Sequence, residues 1–232
     1  MTAAAESTGS FLPVIGECVR LGKTDAGTDI PRGTKGQPGV VEWVRRALHD
    51  GVKPRTILEQ GLLPSMQETG RRFAAGEIFL PEVLIAARAM QAGVAELKPA
   101  LAGGELPTRG VFIIGTVRGD LHDIGKNIVG IMLQGAGWRV EDLGVDCPAE
   151  RFLETLGRHP GGAVGLSALL TTTMLNMREI VAAIHACRPH TVVLVGGAPV
   201  TAAFAGRIGA SGYAADPVQA IELLNRLMPR NP

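Results

Sequence analysis

The sequence predicts an α/β protein in which an N-terminal bundle of helices is followed by a five-stranded parallel sheet. Two observations carry this prediction. Up to residue 97 the apolar residues recur at the three-to-four-residue spacing of amphipathic helices. From Val111 onward, short continuous apolar runs alternate with helical stretches, which is typical of parallel strands joined by helices. The stretch PALAGGELPTRG, at 99–110, is rich in glycine and proline and separates the two patterns.

Three stretches of the N-terminal half have helical periodicity, at 40–48, 56–74 and 79–97. In the last of them Pro81 falls in the first turn, where proline is tolerated. Residues 22–39 contain five glycines and two prolines and cannot hold a regular helix. We therefore expect a flexible N-terminal arm or insertion at 1–39 and a helical domain at 40–102.

The C-terminal half alternates strictly between strand and helix patterns. Five apolar runs predict strands, at 111–117, 138–144, 162–169, 191–197 and 212–216. Helical stretches follow them in turn, near 124–136, 149–158, 172–187, 200–209 and 217–228. This alternation favours a doubly wound sheet of the flavodoxin-like, Rossmann-type class in a domain at 103–232.

Three polar or glycine-containing stretches follow predicted strands. Gly119–Gly125 follows the first strand, Ser167–Thr173 follows the third, and the glycine pair at 196–197 closes the fourth. Ligands of open parallel sheets bind beyond the carboxyl ends of the strands, where the strand order reverses. The three stretches therefore define a candidate ligand site on topology alone.

Composition narrows the class of partner. The 23 Lys and Arg balance 22 Asp and Glu, and aromatic residues make up only 4%, so neither a basic surface nor stacking rings for nucleic acid are indicated. No apolar run reaches the roughly 18 residues of a membrane span. The three cysteines are scattered, which fits no disulfide framework. We expect a cytoplasmic globular protein without nucleic-acid or membrane partners.

The loop GDLHDIGKN, Gly119–Asn127, nearly matches a phosphate-binding loop. It has one residue too many between its glycines, Asn127 in place of the hydroxyl, and carboxylates at Asp120 and Asp123 that phosphate would avoid. The preceding GTVRGD is a poor match to the dinucleotide pattern GxGxxG. Phosphoaspartate receivers share the fold class, but they gather acids around Mg²⁺ and need no histidine here. His122 is therefore the residue to explain.

His122 has two interpretations. As a loop histidine it would bond to Asp120 or Asp123 and do nothing further. As a metal ligand it stands alone, because zinc needs three or four protein ligands and the other four histidines fall in other elements or loops. A lone protein ligand suits a metal whose other positions are filled by a macrocycle, and Asp120 is well placed to accept the second ring N–H.

The motifs DLHDIG at 120–125, SAL at 167–169 and GG at 196–197 together resemble the pattern of cobalamin-binding domains of the methionine synthase type. The intervals also look like those of the family: 42 positions from the last glycine of the first motif to the serine of the second, and 27 from the leucine to the third. Three linked motifs are far more specific than any one, since a glycine pair alone is an ordinary strand-end turn.

The resemblance implies cobalamin, in methylated form or as another corrinoid, with its cobalt, as the cofactor. His122 would be the lower axial cobalt ligand in place of the cofactor's own nucleotide base, and Asp120 would accept its other N–H. Ser167 would extend this chain to a proton-accessible site, and Gly125 would leave room for the displaced nucleotide tail. Leu169, Thr171, Gly196 and Gly197 would line the channel of this tail, and Asp123 would be a further contact of the α/β domain.

The N-terminal half resembles a second module of the same proteins. MQETGRRFAAGEIFLPEVLIAARAM, at 66–90, is similar to the helical domain that caps the upper face of cobalamin. Phe73 and Leu80, seven apart, occupy the places of the shielding Phe and Leu, and Val83 would join them. Alternatively, all three are residues of the bundle core.

The implied function is that of a corrinoid protein, a non-catalytic methyl-carrier subunit with no catalytic residue of its own. It would shuttle a methyl group from a substrate-specific methyltransferase to a second methyltransferase with a folate, pterin or thiol acceptor. A reductive activase would be a further partner. The linker at 99–110 would serve as the hinge that lets partners reach the upper face.

Three alternatives share part of this pattern. A cobalamin-dependent sensor, photoreceptor or regulatory binding protein would have both modules, usually with a further signalling domain. A mutase-type domain would have the histidine loop without the helical cap. A flavodoxin-like protein without a cofactor would make the three motifs coincidental.

Overall fold

The computed structural model describes residues 3–101 and 108–229. The chain divides into two compact units, one of Met1–Pro107 with Gly135–Gly137 and the other of Thr108–Gln134 with Trp138–Pro232. We call them the helical unit and the sheet unit. The predicted domain boundary, between residues 102 and 103, lies outside the described residues. Within the described ranges, no helix is both long and apolar enough to cross a membrane.

In its described part the helical unit contains five α-helices, and the longer ones turn their apolar faces inward. They are α1 (Ala3–Leu21), α2 (Val40–His49), α3 (Pro54–Thr56), α4 (Leu63–Ala74) and α5 (Leu80–Leu97), with a π-helical segment at Ile57–Leu62 and a 3₁₀ turn at Lys98–Leu101. Its interior contains Val40, Val44, Leu62, Ala86 and Met90, all buried. The helical periodicity of the sequence predicted α2, the stretch from α3 to α4, and α5.

The prediction of a flexible arm over residues 1–39 is wrong for α1, which spans Ala3–Leu21. Phe11, Ile15 and Val19 recur at helical spacing, and the last two are fully buried. The glycine-rich composition of the following stretch does not apply to these residues. Their apolar period is compatible with a helix, and packing against α2 and α5 stabilises it.

Residues 22–39 contain no helix, as predicted, but they form a folded loop rather than an arm. Lys23 is buried, and its Nζ donates to the carbonyl oxygen of Thr28 and, at 2.7 Å, to that of Thr34. Asp29 Oδ1 accepts three backbone N–H groups of the next turn at 2.8–3.2 Å. A buried ammonium needs such partners, so the loop closes around the lysine.

The sheet unit contains five parallel strands and six helices in its described part. The strands are β1 (Val111–Thr116), β2 (Arg139–Asp142), β3 (Ala163–Ser167), β4 (Val193–Gly196) and β5 (Gly212–Ala214). The helices are α6 (Ile124–Gly135), α7 (Ala149–Arg158), α8 (Thr171–Met174), α9 (Asn176–Cys187), α10 (Ala202–Ile208) and α11 (Pro217–Leu227). The strand order is β2-β1-β3-β4-β5 with every pair parallel, which confirms the predicted fold class.

The central strands are apolar because both faces of the sheet are covered. Every residue of β1 after Val111 is buried, as are the first four residues of β3. Helices α7 and α9 bring Phe152, Leu156 and Ile184 into the core around Val164. A parallel sheet covered in this way reads in sequence as continuous apolar runs, which is why the strands were predictable.

The chain order reverses between β1 and β3, and this position defines the ligand edge. Thr116 pairs with Ser167 at the last step of the ladder, and the Val117 N–H donates to the Ser167 carbonyl at 3.0 Å. The loops after β1, β3 and β4 leave the sheet at this edge. The topology therefore brings the three sequence motifs to one place.

The space around two glycines of the sheet unit predicts opposite effects of substitution by alanine. A Cβ at Gly165 in β3 would lie 2.4 Å from Cζ of the buried Phe112 ring, whereas a Cβ at Gly157 in α7 would meet nothing within 4 Å. We expect Gly165→Ala to lower the free energy of unfolding by about 1–3 kcal/mol. Gly157→Ala should raise it by about 0.5–1 kcal/mol because alanine is the better helix former.

Urea unfolding of the two variants, followed by near-ultraviolet circular dichroism, measures both changes. Equal stabilities would contradict the packing of Phe112 against β3.

Candidate cofactor-binding site

The carboxylate of Asp120 is fully buried in the loop between β1 and α6. Its Oδ1 lies 2.9 Å from Nδ1 of His122 and accepts the His122 backbone N–H at 3.1 Å. Its Oδ2 accepts the Leu169 N–H at 2.8 Å, the Leu170 N–H at 3.4 Å and the Thr173 hydroxyl at 2.6 Å. One carboxylate therefore joins the loops that follow β1 and β3.

These hydrogen bonds decide the charge of Asp120. Burial by itself raises the pKa of a carboxyl, because it removes water from the charged form. The donors from Thr173, Leu169 and His122 outweigh burial and hold the pKa of Asp120 well below its usual value. The group is a carboxylate at neutral pH and acts as an acceptor only.

The imidazole of His122 is held at one nitrogen and open at the other. Nδ1 faces Asp120, and the His122 carbonyl accepts the Thr116 hydroxyl at 2.8 Å. Nε2 has no hydrogen-bond partner among the residues described, and the side chain is 52% exposed. Because a carboxylate can only accept, Nδ1 carries the proton and the Nε2 lone pair is free to bind a metal.

The donor set around His122 matches a metal that brings most of its own ligands. In residues 3–101 and 108–229, no group of three or more His, Cys, Asp or Glu side chains is arranged to hold a metal ion. His122 would therefore be a single protein ligand, as for a metal held in a macrocycle.

Apolar side chains surround this histidine on the outside. Leu121 and Ile124 are 73% and 69% exposed, and Leu169 and Leu170 are also exposed at the same edge of the sheet. Exposed leucine and isoleucine side chains concentrated in one place mark a surface that binds another apolar group. A large macrocycle held by His122 would contact them, so the residues present fit a corrinoid.

A second set of contacts holds the histidine loop in place, and sequence reasoning missed it. Lys126 is buried, and its Nζ donates to both oxygens of Asp142 at 2.6 and 2.7 Å and to Asn127 Oδ1 at 2.7 Å. Asn127 Nδ2 in turn donates to Asp123 Oδ2 at 3.1 Å. The sequence shows a lysine in the loop but not its partner, which lies on another strand.

The glycines of the predicted site differ in what surrounds them. A Cβ at Gly197, where φ is +120°, would stand 1.9 Å from the Ala168 carbonyl oxygen, and one at Gly196 would stand 2.9 Å from the Ala214 oxygen. At Gly125 a Cβ would meet nothing within 4 Å. The fold itself therefore requires glycine at 197, whereas Gly125 faces open space.

The predicted place of Ser167 in the chain of hydrogen bonds is wrong in this structure. Among the described residues, the hydroxyl that Asp120 accepts belongs to Thr173. Ser167 ends β3, whereas the short helix α8 turns back and brings Thr173 to the carboxylate. Thr171, the other predicted residue of this stretch, is exposed at the first position of α8.

The predicted shielding residues lie in the helical unit. Phe73 is in the last turn of α4 and Leu80 begins α5, and both are partly exposed, whereas Val83 is fully buried. Phe79, which sequence reasoning passed over, is 69% exposed. The assignment of Phe73, Leu80 and Val83 as cofactor contacts stays a prediction.

Comparison with known proteins places both units in one class. The B12 binding domain family matches residues 110–222, and a second family of the same description matches residues 37–98. A dimethylamine corrinoid protein of Methanosarcina barkeri is 42% identical over 180 residues, which cover 76% of this chain and 84% of that protein.

Two solved structures show the same fold. The methanol:cobalamin methyltransferase complex MtaBC of Methanosarcina barkeri contains a chain with a TM-score of 0.83 at 27% identity, over 98% of this chain and 84% of that one. A cobalamin-binding protein of Desulfitobacterium hafniense has a TM-score of 0.70 at 29% identity, over 92% and 98% of the two chains.

A parallel sheet with a lone histidine at its ligand edge, preceded by a helical unit, fits a corrinoid-binding protein. The chain belongs to the corrinoid proteins with B12 binding domains, the family of which methyltransferase corrinoid proteins are members. Its resemblance to that family, and a corrinoid with its cobalt as the cofactor, are thereby confirmed.

The buried carboxylate predicts a stability that depends on pH. Because the folded pKa of Asp120 is lowered, its contribution to the free energy of unfolding is present above the unfolded aspartate pKa of about 3.9 and is lost as the pH falls below it. Asp120→Asn, which presents an N–H₂ group to existing donors, should lower the free energy of unfolding at pH 7 by about 1–3 kcal/mol.

Urea unfolding without cofactor, repeated from neutral to acid pH, measures this effect. The gap between wild type and Asp120→Asn should close as the pH falls, while Asp123→Asn at an exposed position should stay within about 0.5 kcal/mol of wild type throughout. A gap independent of pH would contradict an ionised Asp120.

Proposed function

We propose that the chain binds its corrinoid with the cofactor's nucleotide base displaced and His122 on the cobalt, and that it carries a methyl group between two methyltransferases. One would be specific for the methyl donor, and the other would pass the group to a folate, a pterin or a thiol. The observation that supports this most is the His122 imidazole, held at Nδ1 by the buried Asp120 carboxylate and free at Nε2.

When bound, the corrinoid supplies a cobalt centre that accepts a methyl group and gives it up again. The residues of the chain set the conditions for this chemistry. His122 would offer Nε2 to the cobalt, and the negative charge of Asp120 at Nδ1 would raise the basicity of Nε2. The exposed side chains of Leu121, Ile124, Leu169 and Leu170 would keep water from a cobalt bound at His122.

The remaining predicted residues are proposed as cofactor contacts. The nucleotide tail would pass Gly125, where the structure leaves open space. The other proposed contacts of the sheet unit are Asp123, Ser167, Leu169, Thr171, Gly196 and Gly197. Phe73, Leu80 and Val83 of the helical unit would shield the upper face, and the domains are proposed to divide at residues 102 and 103.

The partners are inferred from the relatives and belong to the proposal. The Methanosarcina barkeri structure is that of a methyltransferase complex, and the relative that is 42% identical is named a dimethylamine corrinoid protein. A methyltransferase partner supplies the choice of methyl donor, so this chain needs no substrate pocket. A reductive activase would complete the set of partners.

Substitution of His122 tests the axial ligand. His122→Ala should still bind hydroxocobalamin, because the tail site is intact, but with an affinity lower on the order of 10- to 100-fold. The visible spectrum of the bound cofactor should shift. The matched control is His190→Ala, which removes an exposed histidine of the loop before β4 and should leave affinity and spectrum unchanged.

Electron paramagnetic resonance of the reduced holoprotein adds a direct measurement. With ¹⁵N-labelled histidine, the nitrogen splitting of the cobalt signal should change from the ¹⁴N to the ¹⁵N pattern in wild type and in His190→Ala. A splitting that stays ¹⁴N would show that the cofactor's own base is still the ligand, and this proposal would be wrong.

Substitutions at Gly197 and Gly125 distinguish a glycine that the fold requires from one that the proposed cofactor site requires. Gly197→Ala should lower the free energy of unfolding without cofactor, by about 2 kcal/mol or more, since its Cβ meets the Ala168 carbonyl at a strained φ. Gly125→Ala should leave that free energy within about 1 kcal/mol and weaken hydroxocobalamin binding on the order of 10-fold.

Urea unfolding without cofactor and titration with hydroxocobalamin give the two quantities. Wild-type affinity in Gly125→Ala would place the nucleotide tail elsewhere.

A further inference from the structure

The two oxygens of Asp120 accept hydrogen bonds from different loops at the sheet edge. Oδ1 is occupied by the backbone and the ring of His122 at 3.1 and 2.9 Å. Oδ2 is occupied by two backbone N–H groups, of Leu169 and Leu170, and by the Thr173 hydroxyl. The orientation of the carboxylate, and with it the direction of the His122 ring, is therefore set from the Oδ2 side.

The hydroxyl is the shortest of these contacts. Thr173 Oγ1 lies 2.6 Å from Asp120 Oδ2 and 3.1 Å from the Leu170 carbonyl. A hydroxyl has a single proton, and the charged acceptor at a distance typical of O–H···O⁻ bonds takes it. The two backbone donors approach Oδ2 at 2.8 and 3.4 Å, so only one of them is well formed beside the hydroxyl.

The sequence gives three successive threonines here, and only one faces the carboxylate. Thr171 and Thr172 are exposed, whereas Thr173 is buried. Its methyl group also covers the turn at Gly119, where a Cβ would lie 3.7 Å from Thr173 Cγ2. The Thr173 hydroxyl thus binds the Asp120 carboxylate, and the Thr173 methyl group lies beside the turn that precedes Asp120.

We propose that Thr173 is a positioning residue: its hydroxyl fixes the Asp120 carboxylate and thereby holds His122 with Nδ1 protonated and Nε2 directed at the corrinoid. This inference rests on the proposed function of His122 and deepens it. The hydrogen-bond chain from the histidine ends on a buried hydroxyl and not on Ser167. Without that hydroxyl, Oδ2 loses its strongest donor and the carboxylate can turn away from the ring.

Thr173→Val removes the hydroxyl at nearly constant volume. The first readout is made on the full chain without cofactor: two-bond ¹H–¹⁵N correlation spectra of the His122 ring at one fixed alkaline pH. Wild type should show the tautomer protonated at Nδ1, and Thr173→Val a mixture of both tautomers. Thr173→Ser keeps the hydroxyl and should restore the wild-type spectrum, whereas the exposed Thr172→Val should match wild type throughout.

The second readout is hydroxocobalamin binding. Thr173→Val should weaken it on the order of 10-fold, with recovery in Thr173→Ser. A Thr173→Val protein with the wild-type tautomer and affinity would overturn the proposal, as would the same tautomer change in Ser167→Ala. A His122 ring that never ligates cobalt would instead refute the proposed function, since the tautomer is measured without the cofactor.

A measurement on the unaltered protein covers the case in which Thr173→Val does not fold. A crystal structure of the full chain with hydroxocobalamin should show Thr173 Oγ1 within hydrogen-bond distance of Asp120 Oδ2. If Ser167 Oγ occupies that position instead, Thr173 has no positioning role.

Discussion

A buried carboxylate without a neighbouring cation needs donors for each of its oxygens, and this requirement at Asp120 organises the whole ligand edge. His122 satisfies one oxygen, and the loop after β3 satisfies the other with backbone N–H groups and the Thr173 hydroxyl. Residues 49 to 53 positions apart are thereby tied together. The same contacts keep the charge on the carboxylate, and that charge decides which nitrogen of the histidine is free.

The sheet makes this arrangement possible because its central strands are paired and buried. β1 and β3 are adjacent, parallel and buried, so the loops that leave their carboxyl ends begin at fixed positions. Lys126 and Asp142 hold the other side of the histidine loop to the end of β2. The histidine loop is therefore held from both sides, which would suit the proposed role of His122 as a metal ligand.

Glycine shows how one residue admits two explanations. From the sequence, the resemblance implies that the pair at 196–197 contacts the cofactor. In the structure, Gly197 is already required by the Ala168 carbonyl, while Gly125 faces the open space. Similarly, the glycine-rich composition of 22–39 predicts an arm, whereas the structure shows a folded loop. Composition does not show the carbonyl acceptors of the buried Lys23, which close this loop.

The sequence alone determined the order and type of nearly every element from α2 onward. It also determined the parallel sheet and the edge at which the motifs meet. Both follow because apolar period and strand-helix alternation are local properties of the chain. The sequence also singled out His122 and Asp120, which are two residues apart. Only the tertiary structure decided that α1 is a helix packed in the helical unit, that Lys126 meets Asp142, and that Thr173 rather than Ser167 reaches Asp120. These depend on contacts between distant segments, and three successive threonines look alike until a fold turns one of them inward.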